Sequence, residues 1–165
     1  MAHRKVGEVL AEVGEFEEAS THQERYLAIS QDQGDKVEEQ RAHATLGRTH
    51  YLWLIATEDE GHRKSAGEHY QAALKLTDTL RQERVLGDKE IVEMKASLHL
   101  NIGLLFDKVK PDLSESFLKK VMTEAGNSRS GLIKRLGLQA LLHLSETCLQ
   151  RGELDSALSH AQQVR

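Results

Sequence analysis

A glycine recurs in this chain where a helix should run without interruption. In the stretch AHRKVGEVLAEVGEFEEASTHQERYLAIS, Ala2 to Ser30, Val6, Val9, Leu10 and Val13 are spaced by three and four residues, marking one helix face, yet Gly7 sits among them. A glycine inside a helix costs about 1 kcal/mol relative to alanine, so a packing gain must offset it. Gly14 is a natural stop for this helix, and Glu15 and Phe16 begin a second one that runs to about Ser30. A turn at Gln31–Gly34 closes a hairpin of about 30 residues.

The hairpin repeats. ATLGRTHYLWLI (44–55) sets Leu46-Gly47 where Val6-Gly7 was, LHLNIGLLFDKV (98–109) sets Ile102-Gly103 there, and LLHLSETCLQRGELDSALSHA (141–161) sets Leu144-Ser145 there. Ser145, Gly152 and Ala157 keep the offsets of Gly7, Gly14 and Ala19, namely 7 and 12. In the second copy Ala66, Tyr70 and Ala73 supply the partner helix, 19 residues after Gly47. Seven residues around TEDEGHR are therefore inserted, and TEDEGHRK (57–64) reads as an exposed charged loop. In the third copy Pro111 opens the second helix, with Ser114, Leu118 and Val121 inward. A small residue in one helix meeting an alanine in the next (Gly7 with Ala19, Gly47 with Ala66, Gly103, Ser145 with Ala157) is the tetratricopeptide pattern. The small positions are spaced by 40, 56 and 42 residues, against about 34 in ordinary tetratricopeptide repeats, so the helices or their connections are long. The expected fold is an all-α, right-handed superhelical solenoid of about eight helices. It forms one tetratricopeptide-repeat domain over 1–165, with repeats near 2–34, 40–80, 88–125 and 131–165. The last of these reads as truncated, as in a piece of a longer protein.

Composition agrees with helices: charged residues are 29%, aromatics 4%, and there is one proline. A formal net charge of −4 gives no broad basic field for nucleic acid. Cys148 is the single cysteine, which rules out an intrachain disulfide and suits a reducing compartment. No apolar run has the length of a membrane span, and the N-terminus lacks a signal pattern.

The long-period repeats resemble those of cell-polarity adaptors that bind spindle-orientation proteins. A closer resemblance is to the N-terminal repeat region of the Tonsoku-like proteins. It is carried by AHRKVGEVLAEVGEFEEASTHQERYLAIS, then EEQRAHATLGRTHYLW, then EMKASLHLNIGLLFD, over about the first 125 residues. That resemblance implies a nuclear scaffold acting at damaged or stalled replication forks in homologous-recombination repair, whose repeat array binds a large helical partner protein. The family's ankyrin and leucine-rich signatures are absent from these 165 residues, so histone reading by that module is not expected of them. The alternative is a cytoplasmic adaptor of the polarity or signalling type.

Chemistry of other kinds finds little support. Nine histidines invite a metal, but His43 and His50 are seven apart, no pair has the i,i+4 spacing of a helical site, and no Cys/His cluster exists. The histidines read as exposed or groove residues, with no metal and no cofactor expected. Cys148, three residues after Ser145, reads as a small buried hydrophobe, since a nucleophile would need a base nearby. No phosphate-cradling glycine motif is present, and no enzyme is expected. RSGLIKR (129–135) reads as a solvated link and helix start.

The surface expected to bind a protein partner is the concave groove lined by the first helix of each hairpin. The register places Arg4, Glu8 and Ala11, then Ala44, Arg48 and Tyr51, then Leu100, Leu104 and Asp107, then Leu142, Glu146 and Leu149 beside the small positions. The polar contacts would fall to Arg4, Glu8, Arg48, Tyr51, Asp107 and Glu146. Of these Arg48 and Tyr51 are the strongest anchors, because Arg and Tyr are enriched at interface hot spots.

Overall fold

The computed structural model describes residues 2–152 and 154–163, and among these every regular element is a helix. They are α1 (Ala2–Glu12), α2 (Phe16–Asp32), α3 (Lys36–Thr57), α4 (Glu60–Gln82), α5 (Asp88–Phe106), α6 (Pro111–Asn127), α7 (Gly131–Gln150) and α8 (Leu154–Gln162). The eight helices and the all-α solenoid-type stacking of neighbours are what the periodicity predicts. The residues fall into two compact units, one ending at Ile91 and the other beginning at Val92.

In the first unit α1 pairs with α2, α2 packs on α3, α3 pairs with α4, and α1 also reaches α3. The chain turns sharply at Gly14 (φ +89°) and Gly34 (φ +66°), where a side chain would be strained. Past each glycine an amide reaches back to cap the finished helix: Glu15 N–H donates to the Leu10 carbonyl at 2.9 Å, and Asp35 N–H to that of Ser30 at 2.9 Å. Asp35 then caps α3, its carboxylate accepting from Glu38 N–H at 3.1 Å. The inserted segment is not the loop that its charge suggests. Asp59 caps α4 by accepting from Gly61 N–H at 2.9 Å, so α3 and α4 are joined only through Glu58 and Asp59. The insertion lengthens both helices instead, to 22 and 23 residues. Capping aspartate on both helices makes continued helix cheaper than a long loop.

The seams between paired helices explain the glycines, and they refine the expected contact. A Cβ built on Gly47 would stand 2.5 Å from the Tyr70 ring. On Gly7 it would stand 2.6 Å from the Gln23 side chain and 3.1 Å from the Ala19 carbonyl oxygen. On Gly103 it would stand 2.8 Å from Leu118 and 3.4 Å from the Ser114 carbonyl. In all three hairpins the glycine therefore admits the side chain one turn beyond the partner's small residue: Gln23 after Ala19, Tyr70 after Ala66, Leu118 after Ser114. Ala19, Ala66, Tyr70 and Leu118 are essentially solvent-free. Burying a side chain of Leu or Tyr size contributes about 1.5–3 kcal/mol, which outweighs the glycine's helix cost. Ser145 is half-buried and its hydroxyl donates to its own helix at Leu141. The side chain of Ala157, its expected partner, lies outside the described residues.

The face that α1 buries is not the one its valines mark. Gly7 and Ala11 are buried and Leu10 is half-buried, while Val6, Val9 and Val13 are exposed. The close approach of α2 at Gly7 selects the small-residue side of α1, and the valines are left outside. In α3 and α4, Leu46, Tyr70, Ala73 and Leu80 form the interior, and Gln40 donates to the buried Thr77 hydroxyl at 3.2 Å.

In the second unit Leu100, Leu118, Val121, Ala140 and Leu144 form one core, joined by Leu104, Met122 and Leu136. Ser114 donates its hydroxyl to the Gly103 carbonyl at 2.6 Å, pinning the start of α6 to α5. Gly137, which carries no tetratricopeptide offset, allows α7 to lie directly on the Cβ of Ala125 in α6. Ser130 caps α7, accepting from Ile133 N–H at 3.5 Å and donating to Glu93 at 2.6 Å.

Two alanine substitutions should have opposite signs. Gly47→Ala drives a Cβ into the rigid, buried Tyr70 ring and should lower the unfolding free energy by about 1–3 kcal/mol. Gly126→Ala in α6 meets nothing within 4 Å and should raise it by a few tenths to about 1 kcal/mol. Urea unfolding of the two variants measures both.

Candidate functional site

The α3 face carries the two expected anchors together. Arg48 is exposed and Tyr51 half-buried, and Ile55, one turn further, is exposed. Both anchors act on the Tyr70 hydroxyl. Burial pushes that phenol's pKa well above its usual value, Tyr51 adds to the rise, and the Arg48 guanidinium opposes it. Tyr70 thus sits under Gly47 with its ring, and its phenol is within electrostatic reach of Arg48 and Tyr51. The packing residue and the two surface anchors are one local arrangement. On α1, Glu8 is exposed and Arg4 half-buried; on α3, Ala44 is half-buried.

Several expected groove residues are placed otherwise. Ala11 is buried against the rest of its unit, and Leu100 belongs to the core of the second unit, with Leu104 packed against it. Asp107 does not stand open in a groove, because its carboxylate lies 3.2 Å from His143 Nε2 of α7. Glu146, Leu142 and Leu149 are exposed. The reason is common to these cases: register alone cannot say which flank of the small position is covered by a neighbouring helix.

The histidines form the pattern that sequence reasoning missed. Each of the nine meets a side chain from another helix or its edge, rather than standing in solvent. His3 of α1 meets His22 of α2, with Nδ1 atoms 3.1 Å apart. His43 of α3 meets His69 of α4 at 3.0 Å, and His50 meets His62 at 3.1 Å. His99 lies 3.5 Å from the Glu124 carboxylate, whose pKa burial raises. The readable signal was the facing of helix against helix rather than spacing within one helix, since 43 pairs with 69 and 50 with 62 in an antiparallel hairpin.

Between α3 and α4 the pairs merge. The His50 and His69 rings stack with centroids 5.8 Å apart, and Trp53 stacks on His62 at 4.0 Å, with Phe16 of α2 beyond it at 5.8 Å. Burial lowers the pKa of His43, with Glu39 opposing. Burial and then His62 lower that of His50, with Glu24 opposing. Burial, His43 and His50 bring His69 down to about 4. Among the described residues no group of three or more His, Cys, Asp or Glu side chains is arranged to hold a metal ion. Cys148 is buried, its sulfur 3.8 Å from His160 Nδ1, a weak S–H···N contact. No described helix is long and apolar enough to cross a membrane.

Antiparallel helix hairpins, stacked on neighbours and closed at seams set by small residues, define a helical-repeat protein. No protein-family model matches the chain. It is 34% identical over 121 residues to the Tonsoku-like protein of Bos taurus and 33% identical over 121 residues to that of Mus musculus; each alignment covers 73% of this chain. It is 33% identical over 111 residues, 63% of this chain, to the Tonsoku-like protein of Drosophila melanogaster. The chain belongs to the Tonsoku-like family. It spans 9% of the length of the cattle and mouse relatives and 8% of the fly relative.

The exposed anchor should be separable from the fold. Arg48→Glu should change the unfolding free energy by no more than about 0.5 kcal/mol, because the side chain is exposed. Tyr70→Ala should cost about 3–5 kcal/mol, since its ring fills the seam at Gly47. Thermal and urea unfolding distinguish the two.

Proposed function

We propose that this chain is a non-enzymatic protein-binding segment of a nuclear scaffold that serves replication-fork maintenance and homologous-recombination repair. Membership of the Tonsoku-like family supports the setting, and the α3 face supports the mode of binding. On that face the exposed Arg48 offers a charged fork and the half-buried Tyr51 a flat apolar surface with a polar tip. Ile55 extends the apolar strip by a turn. A helical segment of a partner protein with a carboxylate set beside apolar anchors matches this strip, by the helix-in-groove mode. Glu8 at the α1 side is a further polar contact on the same reading. Family membership favours this setting over a cytoplasmic polarity adaptor.

The test is capture from nuclear extract by the tagged chain, with bound proteins identified by mass spectrometry. Wild type should recover a large helical protein, and Arg48→Glu should reduce its recovery at least tenfold while retaining the wild-type unfolding midpoint. Equal recovery by both proteins would remove the α3 face from the binding surface.

A further inference from the structure

The head-on histidine pairs of the α3–α4 seam have a geometry that counts protons. In the His43–His69 pair the ring centroids are 5.2 Å apart and the Nδ1 atoms 3.0 Å. In the His50–His62 pair the corresponding separations are 5.3 and 3.1 Å. The difference is what two ring radii occupy when each nitrogen lies on the line joining the centres. The two lone-pair directions therefore point at one another. A metal on that line, with nitrogen bonds of about 2.0–2.1 Å, would need the nitrogens about 4 Å apart. The observed gap is that of a hydrogen bond: one Nδ1–H donates and the other Nδ1 accepts.

We propose that the four imidazoles His43, His69, His50 and His62 form an acid-sensitive latch that holds α3 against α4 and releases as protons are added. In the neutral pair one ring carries its proton on Nδ1 and the other on Nε2. A first added proton takes the free Nε2 of the donor ring and leaves the bond in place. A second must take the accepting Nδ1, and two N–H groups then face each other at about 3 Å, which breaks the contact. Stacking of His50 on His69 at 5.8 Å joins the pairs, so charge placed on one pair repels charge on the other. The charged and titratable groups acting on these rings are Glu39 on α3 and Glu24 on α2, both favouring the charged form, and the histidines facing one another across α3 and α4. Glu24 is itself held by the Ser20 hydroxyl at 3.3 Å. Arg63 of α4 lies beside this segment, bonded to Glu60 at 2.7 Å.

The sign follows from linkage. His43, His50 and His69 have folded pKa values below the unfolded value of about 6.5, so the unfolded chain binds more protons in this range. The latch contributes fully above pH 6.5, and its contribution is lost as the pH falls from there toward the His69 value of about 4. Because Arg48 and Tyr51 lie on the same helix as His43 and His50, opening the seam would also disturb the α3 face. That consequence rests on the proposed binding function, whereas the latch does not. The test below reads the seam itself, so either can fail alone.

Trp53, the chain's single tryptophan, stacks 4.0 Å from His62 and reports the seam directly. The whole chain is titrated from pH 7.5 to 4, following Trp53 fluorescence and the ring proton and carbon resonances of each histidine by NMR. His69 should need at least tenfold more acid than a free imidazole for half-protonation. Trp53 emission should change over the same range, and His50→Gln should at least halve that change. Half-protonation of His69 at or above pH 6.5 would overturn the latch. So would a Trp53 transition unaltered by His50→Gln, which would assign the acid response to carboxylates such as Glu24 and Glu39. If His50→Gln does not fold, the wild-type NMR titration and His62→Gln decide between the same outcomes.

Discussion

The close approach of paired helices at a glycine is the constraint on which the rest of this structure depends. At Gly47 the absence of one carbon lets the Tyr70 ring occupy the seam. At Gly7 and Gly103 it does the same for Gln23 and Leu118. Interiors are packed at crystal-like density, so an atom added there cannot be absorbed by slack. Once the seam is set, the remaining surfaces of each helix are assigned. Ala11 goes inward and Val9 outward on α1, and Tyr70 is buried under α3 within electrostatic reach of Arg48 and Tyr51.

The same approach draws the histidines together. Residues on the flank of a seam face the other helix at short distance, and here the chain has placed imidazoles on that flank in both hairpins of the first unit. Imidazole is the side chain whose unperturbed charge changes between pH 5 and 8, and burial moves that change downward for His43, His50 and His69. Close packing and proton sensitivity thus share one cause, since a looser seam would leave these rings solvated and unpaired.

The sequence carried the helix count and the hairpin order, because periodicity and the positions of Gly7, Gly47 and Gly103 are local signals. It did not carry the identity of the contact, which falls on Gln23 and Tyr70, one turn past the alanines expected to meet Gly7 and Gly47, and on Leu118 at Gly103. It misread TEDEGHRK, because charge and glycine suggest a loop while the capping power of Asp59 is a matter of one rotamer. Gly137 went unnoticed because it serves α6 against α7 rather than the two helices of one hairpin. Arg48 is exposed, while Asp107 is paired with His143. Asp107 lies at the register position of Tyr51, four residues past the glycine, and its pairing depends on a residue of α7 that register alone does not place.

Coupling between the glycine and the ring over it is the most direct measure of this account. A double-mutant cycle combining Gly47→Ala with Tyr70→Leu, read by urea unfolding, isolates that pair. Removing the ring should make room for the added methyl, so that the alanine costs at least about 1 kcal/mol less in the Tyr70→Leu background than in the wild type. Additive free energies, with the same cost in both backgrounds, would contradict the claim that this contact sets the seam.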